Sequence, residues 1–248
     1  MKPKNISVQI LSSLGLVAAL LAAPPLRALD DTMTQPVHAS KATEFSFLAP
    51  GQIHAADILP PPPSAAAEKT AEMQTVQTAY HSASEADKNA AHAEKKFSIF
   101  NFTEAAGNFF VETNLPKTAV FFEKVQKDAE AVTDEGKDFF HHPRPFTDDP
   151  SLANGKLEKS FGYPSGHSTE ATTLALVLAE LLPENHDAIL AHSDLMGWHR
   201  VQIARHYPAD IYAGRELARA IVRELKKSEA FQKDFAEVKN ELAAVMGK

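Results

Sequence analysis

From residue 67 onward apolar residues recur at helical spacing, in blocks separated by turn signals. Residues 67–93 are rich in Ala, Glu, Lys and Gln, which favour helix, and the pattern continues through 97–113 and 117–141. In the third block Val120, Phe121, Val125 and Ala129 trace one face, and Pro143 and Pro145 end it because each bars helical angles from the residue before it. A loop follows to Tyr163, with turn signals at Asp148-Asp149-Pro150 and Asn154-Gly155. Residues 167–182 are apolar on nearly every side (Ala171, Leu174, Leu176, Val177, Leu178, Leu181), which predicts a central helix buried by its neighbours. Helices are predicted over 186–206, over 209–226 with Ile211, Leu217, Ile221, Val222 and Leu225, and over 228–246 with Phe231, Phe235, Val238 and Leu242 inward. No segment alternates with period two, so the predicted fold is all-α, a compact helical bundle around a central buried helix.

The N-terminal part lacks this periodicity. Lys2 and Lys4 precede an apolar run from Leu14 to Ala23, which predicts an export signal over 1–28 cleaved after Ala28. The run is short of the roughly 20 residues a bilayer requires, and nothing later is apolar enough to span one. Residues 29–66 contain Ala49-Pro50-Gly51 and Pro60 to Pro63, which predict an extended arm because proline donates no backbone hydrogen bond. Residues 67–248 then form the helical domain.

Charge narrows the function. With Lys2, Lys4 and Arg27 set aside, 22 basic residues face 32 acidic ones, a formal charge of −10. An acidic surface excludes a general nucleic-acid binder, so any anion site must be a local cluster of cations. The chain has no cysteine, which removes disulfides, thiolate catalysis and thiolate metal sites together.

Three segments set cations and histidines beside predicted helix ends. In the first, Lys137 and Arg144 are seven residues apart, with Arg144 just past the helix and folded back. The second, Tyr163-Pro164-Ser165-Gly166-His167, opens the buried helix, where unpaired N–H groups and the dipole favour an anion. The third runs from Trp198-His199-Arg200 to Arg205-His206-Tyr207-Pro208-Ala209-Asp210, so that Asp210 can hold one imidazole nitrogen of His206 and leave the other to attack. Lys137, Arg144 and Arg200 would neutralise a phosphate, His206 attack it, and His167 protonate the leaving oxygen.

These segments resemble the pattern of the type 2 phosphatidic acid phosphatase superfamily: Lys-x6-Arg-Pro, Pro-Ser-Gly-His and Ser-Arg-x5-His-x3-Asp. It joins bacterial class A non-specific acid phosphatases, lipid phosphatases and vanadium haloperoxidases. Size, the N-terminal signal, and the stretches Phe47 to Gln52 and Leu59 to Pro63 are most similar to the class A enzymes. The resemblance implies a phosphomonoesterase of acidic optimum, periplasmic or secreted, working through a phosphohistidine on His206. In it Asp210 orients that histidine, His167 is the general acid, and Lys137, Arg144, Ser165, Gly166 and Arg200 bind phosphate. His199 stands where the pattern has Ser.

Other histidines read as surface or core residues, with His141 and His142 the two that could line the pocket, and Arg205 reads as a surface charge. Three cations beside the histidines disfavour a divalent metal, and neither metal nor cofactor is expected. The expected partners are small phosphomonoesters, with no nucleic acid and no membrane after signal cleavage. The proline-rich arm and apolar helix faces fit a homo-oligomer. The rival functions are a vanadium-dependent haloperoxidase, a lipid phosphatase and a non-catalytic phosphate-binding module.

Overall fold

The computed structural model describes residues 45–247, so the export signal read over 1–28 and the first part of the arm lie outside the described residues. Among those described, the secondary structure is helical, with no strand. The long elements are α2 (Ala66–Ser82), α3 (Glu85–Ala93), α5 (Pro116–Phe140), α7 (Gly166–Leu181), α8 (His186–Gln202), α9 (Pro208–Leu225) and α10 (Glu229–Met246). Short turn α1 (Ala55–Ile58) precedes them, and α4 (Thr103–Ala106) and α6 (Pro145–Asp148) lie between them.

Helix α7 is the axis, packed against α5, α8 and α9. Its Leu174 and Leu178 are fully buried, and truncating either to Ala would cost about 2–5 kcal/mol through lost transfer energy and the cavity left behind. Helices α7 and α9 meet closely at Gly214, where a Cβ would lie 2.9 Å from the Ser165 carbonyl oxygen. A side chain there would push apart the helix starts that carry Ser165 and Asp210.

The structure corrects several boundaries. The block read as one helix over 67–93 is two, because Ser84 accepts from the Asp87 N–H at 3.1 Å while Asp87 accepts from the Ser84 N–H, and this reciprocal cap starts α3. The block over 97–113 is broken at Gly107, whose φ of 111° no helix accommodates. On α5, Phe121, Val125 and Ala129 are buried, but Val120 points outward and is 54% exposed.

Helix α8 stops at Gln202 rather than 206, as Ile203 and the left-handed Ala204 (φ 54°) unwind the chain. His206 therefore lies on a turn between two helices.

The described part of the arm is threaded into the core. Asp128 of α5, fully buried, accepts N–H groups from Ser46 (2.6 Å), Phe47 (2.8 Å) and Leu48 (3.0 Å). Burial still pushes its carboxyl above the ordinary range. Phe47 then packs edge-on against Phe231 of α10, and Ala55 starts the short α1 with its N–H on Glu135 at 3.0 Å.

Candidate active site

Lys137 lies one turn before the end of α5, with its Nζ 3.3 Å from Asp134 Oδ1. The helix is capped by His141 in the left-handed region, φ 51°, and the two prolines keep the next residues extended, so Arg144 turns inward. Its guanidinium donates to the carbonyl oxygens of Ser160 (2.8 Å), Arg205 (3.0 Å) and Phe161 (3.2 Å), and to Ser160 Oγ (3.1 Å). Burial lowers its pKa, yet an arginine so held stays charged.

The same guanidinium fixes the tautomer of His206. Arg144 Nη1 lies 3.2 Å from His206 Nε2, and arginine can only donate, so Nε2 carries the lone pair. The other nitrogen, Nδ1, lies 3.1 Å from Asp210 Oδ2 and donates to it. Pro208 starts α9 and Asp210 is its third residue, accepting the Tyr207 N–H at 2.9 Å. Burial acts to raise the Asp210 carboxyl, but hydrogen bonds from His142 and His206 prevail and hold it below the usual range. Burial first, then the Arg144 charge, drive His206 down to about 4 against the pull of Asp210. The imidazole is therefore neutral well into acid, with its lone pair on Nε2.

Helix α7 supplies the facing half. The Ser165 hydroxyl accepts from the Ser168 N–H at 3.3 Å and caps it, and the Ser165 N–H donates to the Asp210 carbonyl at 3.0 Å, tying the second segment to the third. Gly166 lets Lys137 approach, since a Cβ there would lie 3.1 Å from Nζ. His167 follows, its Nε2 without a hydrogen-bond partner. Burial, then the charges of Arg200, His206 and Lys137, depress it to about 3, opposed by the Glu94 carbonyl.

Arg200 comes from the last turn of α8, buried, and donates through Nη2 to the Ala91 carbonyl. Glu94 at the end of α3 sits 3.6 Å from the same Nη2 and 2.6 Å from His199 Nδ1. His199 therefore braces the carboxylate that braces Arg200, while Arg200 Nε has no hydrogen-bond partner.

Residues 127–231 match the PAP2 superfamily. Over 206 residues, 75% of this chain and 79% of the relative, the sequence is 30% identical to a non-specific acid phosphatase of Providencia stuartii. The chain belongs to the PAP2 superfamily. An acid phosphatase of Zymomonas mobilis is 29% identical over 143 residues, 56% of this chain and 54% of that one. A transmembrane PAP2-type phosphatidylglycerolphosphate phosphatase from Bacillus subtilis shares the fold, with a TM-score of 0.50 at 19% identity over 70% of this chain and 89% of that one. Among the described residues of this PAP2 protein, no helix is long and apolar enough to cross a membrane.

Two residues of the PAP2 site depart from their sequence reading. Arg205 is no surface charge: it is buried, with Nε 3.0 Å from Glu158 Oε2, Nη2 donating to Asn154 and its guanidinium over Phe146. It holds the 154–158 loop against the turn carrying His206. Of the paired histidines, His141 is exposed, whereas His142 Nδ1 lies 3.2 Å from Asp210 Oδ1.

Sequence reasoning missed Glu94 altogether. It follows a polar helix and precedes Lys95 and Lys96, so it reads as one more solvated charge, and only the fold brings His199 to it. It also missed Glu170, one turn beyond His167, which accepts from Gln126 Nε2 at 2.8 Å. Burial raises Glu170 to about 7, with nearby Glu130 and Asp134 adding to the rise and Gln126 and Lys137 opposing it. Its Oε1 and Lys137 Nζ flank the same face of Gly166.

Proposed function

We propose that this PAP2 protein hydrolyses a broad range of phosphate monoesters in acid, without a metal, through a covalent phosphohistidine on His206. The observation that carries the reading is the hydrogen bonding of that imidazole. Asp210 accepts a hydrogen bond from its Nδ1–H, so the lone pair on Nε2 faces the cationic Arg144, where a phosphate would be drawn. Bacterial relatives named as acid phosphatases support the same activity.

In the first step His206 Nε2 attacks phosphorus, the P–O ester bond breaks, and the leaving oxygen takes a proton from His167. Water then attacks the phosphohistidine, gives its proton to His167, and the P–N bond breaks to release orthophosphate. Lys137, Arg144, Arg200 and the N–H groups at the start of α7 hold the phosphoryl oxygens, and Ser165 and Gly166 shape that cradle. Burial is the first cause of the low His167 pKa and the neighbouring cations the second; a bound phosphate dianion offsets the cations, so substrate binding raises that pKa and favours the protonated form that a general acid needs.

Every group named addresses the phosphoryl end, which favours breadth over selection of the alcohol. The basic start followed by an apolar run at Leu14 to Ala23 supports export as the setting.

The test is p-nitrophenyl phosphate hydrolysis between about pH 4 and 9, with EDTA present, by the wild type and His206→Ala. Activity that survives the chelator and disappears in the variant is expected. An inactive wild type, or one that oxidises halide only with vanadate and peroxide, overturns the reading.

A further inference from the structure

Asp210 serves two histidines. Its Oδ2 receives the His206 Nδ1 proton and the Tyr207 N–H, and its Oδ1 faces His142 Nδ1 at 3.2 Å. The carboxylate is fully buried. We propose that His142 is a positioning residue of the reaction, holding the second oxygen of Asp210 so that the first stays aimed at His206.

The ring is fixed independently of Asp210. It stands edge-on to Tyr163, with centroids 6.1 Å apart, and tilted over Tyr207 at 5.5 Å. The His142 carbonyl accepts from the Gly162 N–H at 2.8 Å. The left-handed turn at His141 and the proline at 143 set where this backbone goes. His142 is thus a rigid donor delivered from the first segment to the carboxylate of the third. Without it, Oδ1 would be a buried anionic oxygen lacking its donor, and the carboxylate could rotate about its Cβ–Cγ bond or take up a proton. Either change weakens the hold on His206 without touching the cations that bind phosphate.

The outer side of His142 borders a cavity of about 500 Å3, also lined by Glu72, Asp148 and Tyr207. Glu72 accepts the Ala209 N–H at 2.9 Å and Asp148 accepts the Tyr207 hydroxyl at 2.7 Å, so both carboxylates are engaged elsewhere. His142 accordingly lies between this cavity and the Asp210–His206 pair.

The inference rests on His206 as nucleophile, and the experiment separates the two. Steady-state p-nitrophenyl phosphate hydrolysis is measured for the wild type, His206→Ala, His142→Leu and His142→Asn, with thermal unfolding of each. Asparagine can place an amide N–H near the position of Nδ1, and leucine cannot. The expected result is a kcat about 10-fold lower for His142→Leu with KM unchanged within about two-fold, and most of that loss restored in His142→Asn. An unchanged kcat in His142→Leu overturns the inference. So does an equal loss in both variants that tracks their unfolding temperatures, which would mark a packing role. A fully active His206→Ala would instead sink the nucleophile assignment.

Discussion

The two halves of the site differ in how completely they are satisfied. Both nitrogens of His206 are paired, Nδ1 with Asp210 and Nε2 with Arg144, and Asp210 itself is held by His142 and the Tyr207 N–H. Across the pocket, buried His167 Nε2 and Arg200 Nε have no hydrogen-bond partner, although Arg200 is anchored through Nη2. Buried polar groups left unpaired cost free energy, so a site that retains them gains most from the ligand that pairs them. The contrast teaches a division of labour. On the proposed mechanism, the nucleophile is oriented before substrate arrives, and the receiving half is completed by the phosphoryl group.

Breaking the oriented half should cost most. His206→Ala removes the attacking atom and should lower kcat by about 10⁴-fold or more, read by p-nitrophenyl phosphate hydrolysis. His167→Asn should cost roughly 10²–10⁴-fold with an alkyl phosphate. In kcat/KM, which excludes the water step that His167 also serves, it should cost much less with p-nitrophenyl phosphate, whose leaving group departs without a proton. Equal losses on both substrates would remove His167 from the general-acid role. Next comes Arg200→Lys, which keeps charge but loses the planar fork: about 10²-fold in kcat/KM, a loss typical of removing one transition-state donor.

The smallest effect sharpens the comparison through pH. The profile of kcat/KM reports free-enzyme groups, so it should rise through about 4 as His206 loses its proton and fall through about 7 as Glu170 ionises beside Lys137. Glu170→Gln removes the titrating carboxyl, so the fall near 7 should disappear while the plateau changes little; a fall that persists at the same pH removes Glu170 from the account.

Stability should follow a related pattern. His206 and His167 have depressed pKa values in the folded chain, so near neutrality and above, where they are uncharged folded or unfolded, their contribution is intact. As pH falls from about 6.5 toward 4, the unfolded chain takes up protons that the folded one refuses, and thermal unfolding should move to lower temperature.

Much of the site was legible because its chemistry sits at fixed offsets within short segments. Lys137 with Arg144, Ser165-Gly166-His167, and Arg200 with His206 and Asp210 need only local turns to point inward. The all-α class was legible for a similar reason, since Leu174, Val177 and Leu178 recur at helical spacing and are all buried. What escaped depends on pairings across the chain. His199 finds Glu94 from 105 residues away, and Arg205 is buried only because the 154–158 loop folds over it.

The early end of α8 escaped because Ala204 adopts φ 54° with no glycine to announce it. By contrast the break before α3 had a readable signal, Ser84 with Asp87 three residues on, which helix propensity across 67–93 overrode.

The central claim is a covalent phosphate on His206. The direct measurement is to mix the protein with labelled monoester, quench within milliseconds in alkali, where phosphohistidine survives, and locate the label by peptide mass spectrometry. The account predicts label on the peptide carrying His206, formed no more slowly than turnover and absent in His206→Ala. Rapid turnover with no protein-bound label, or label on another residue, would contradict it.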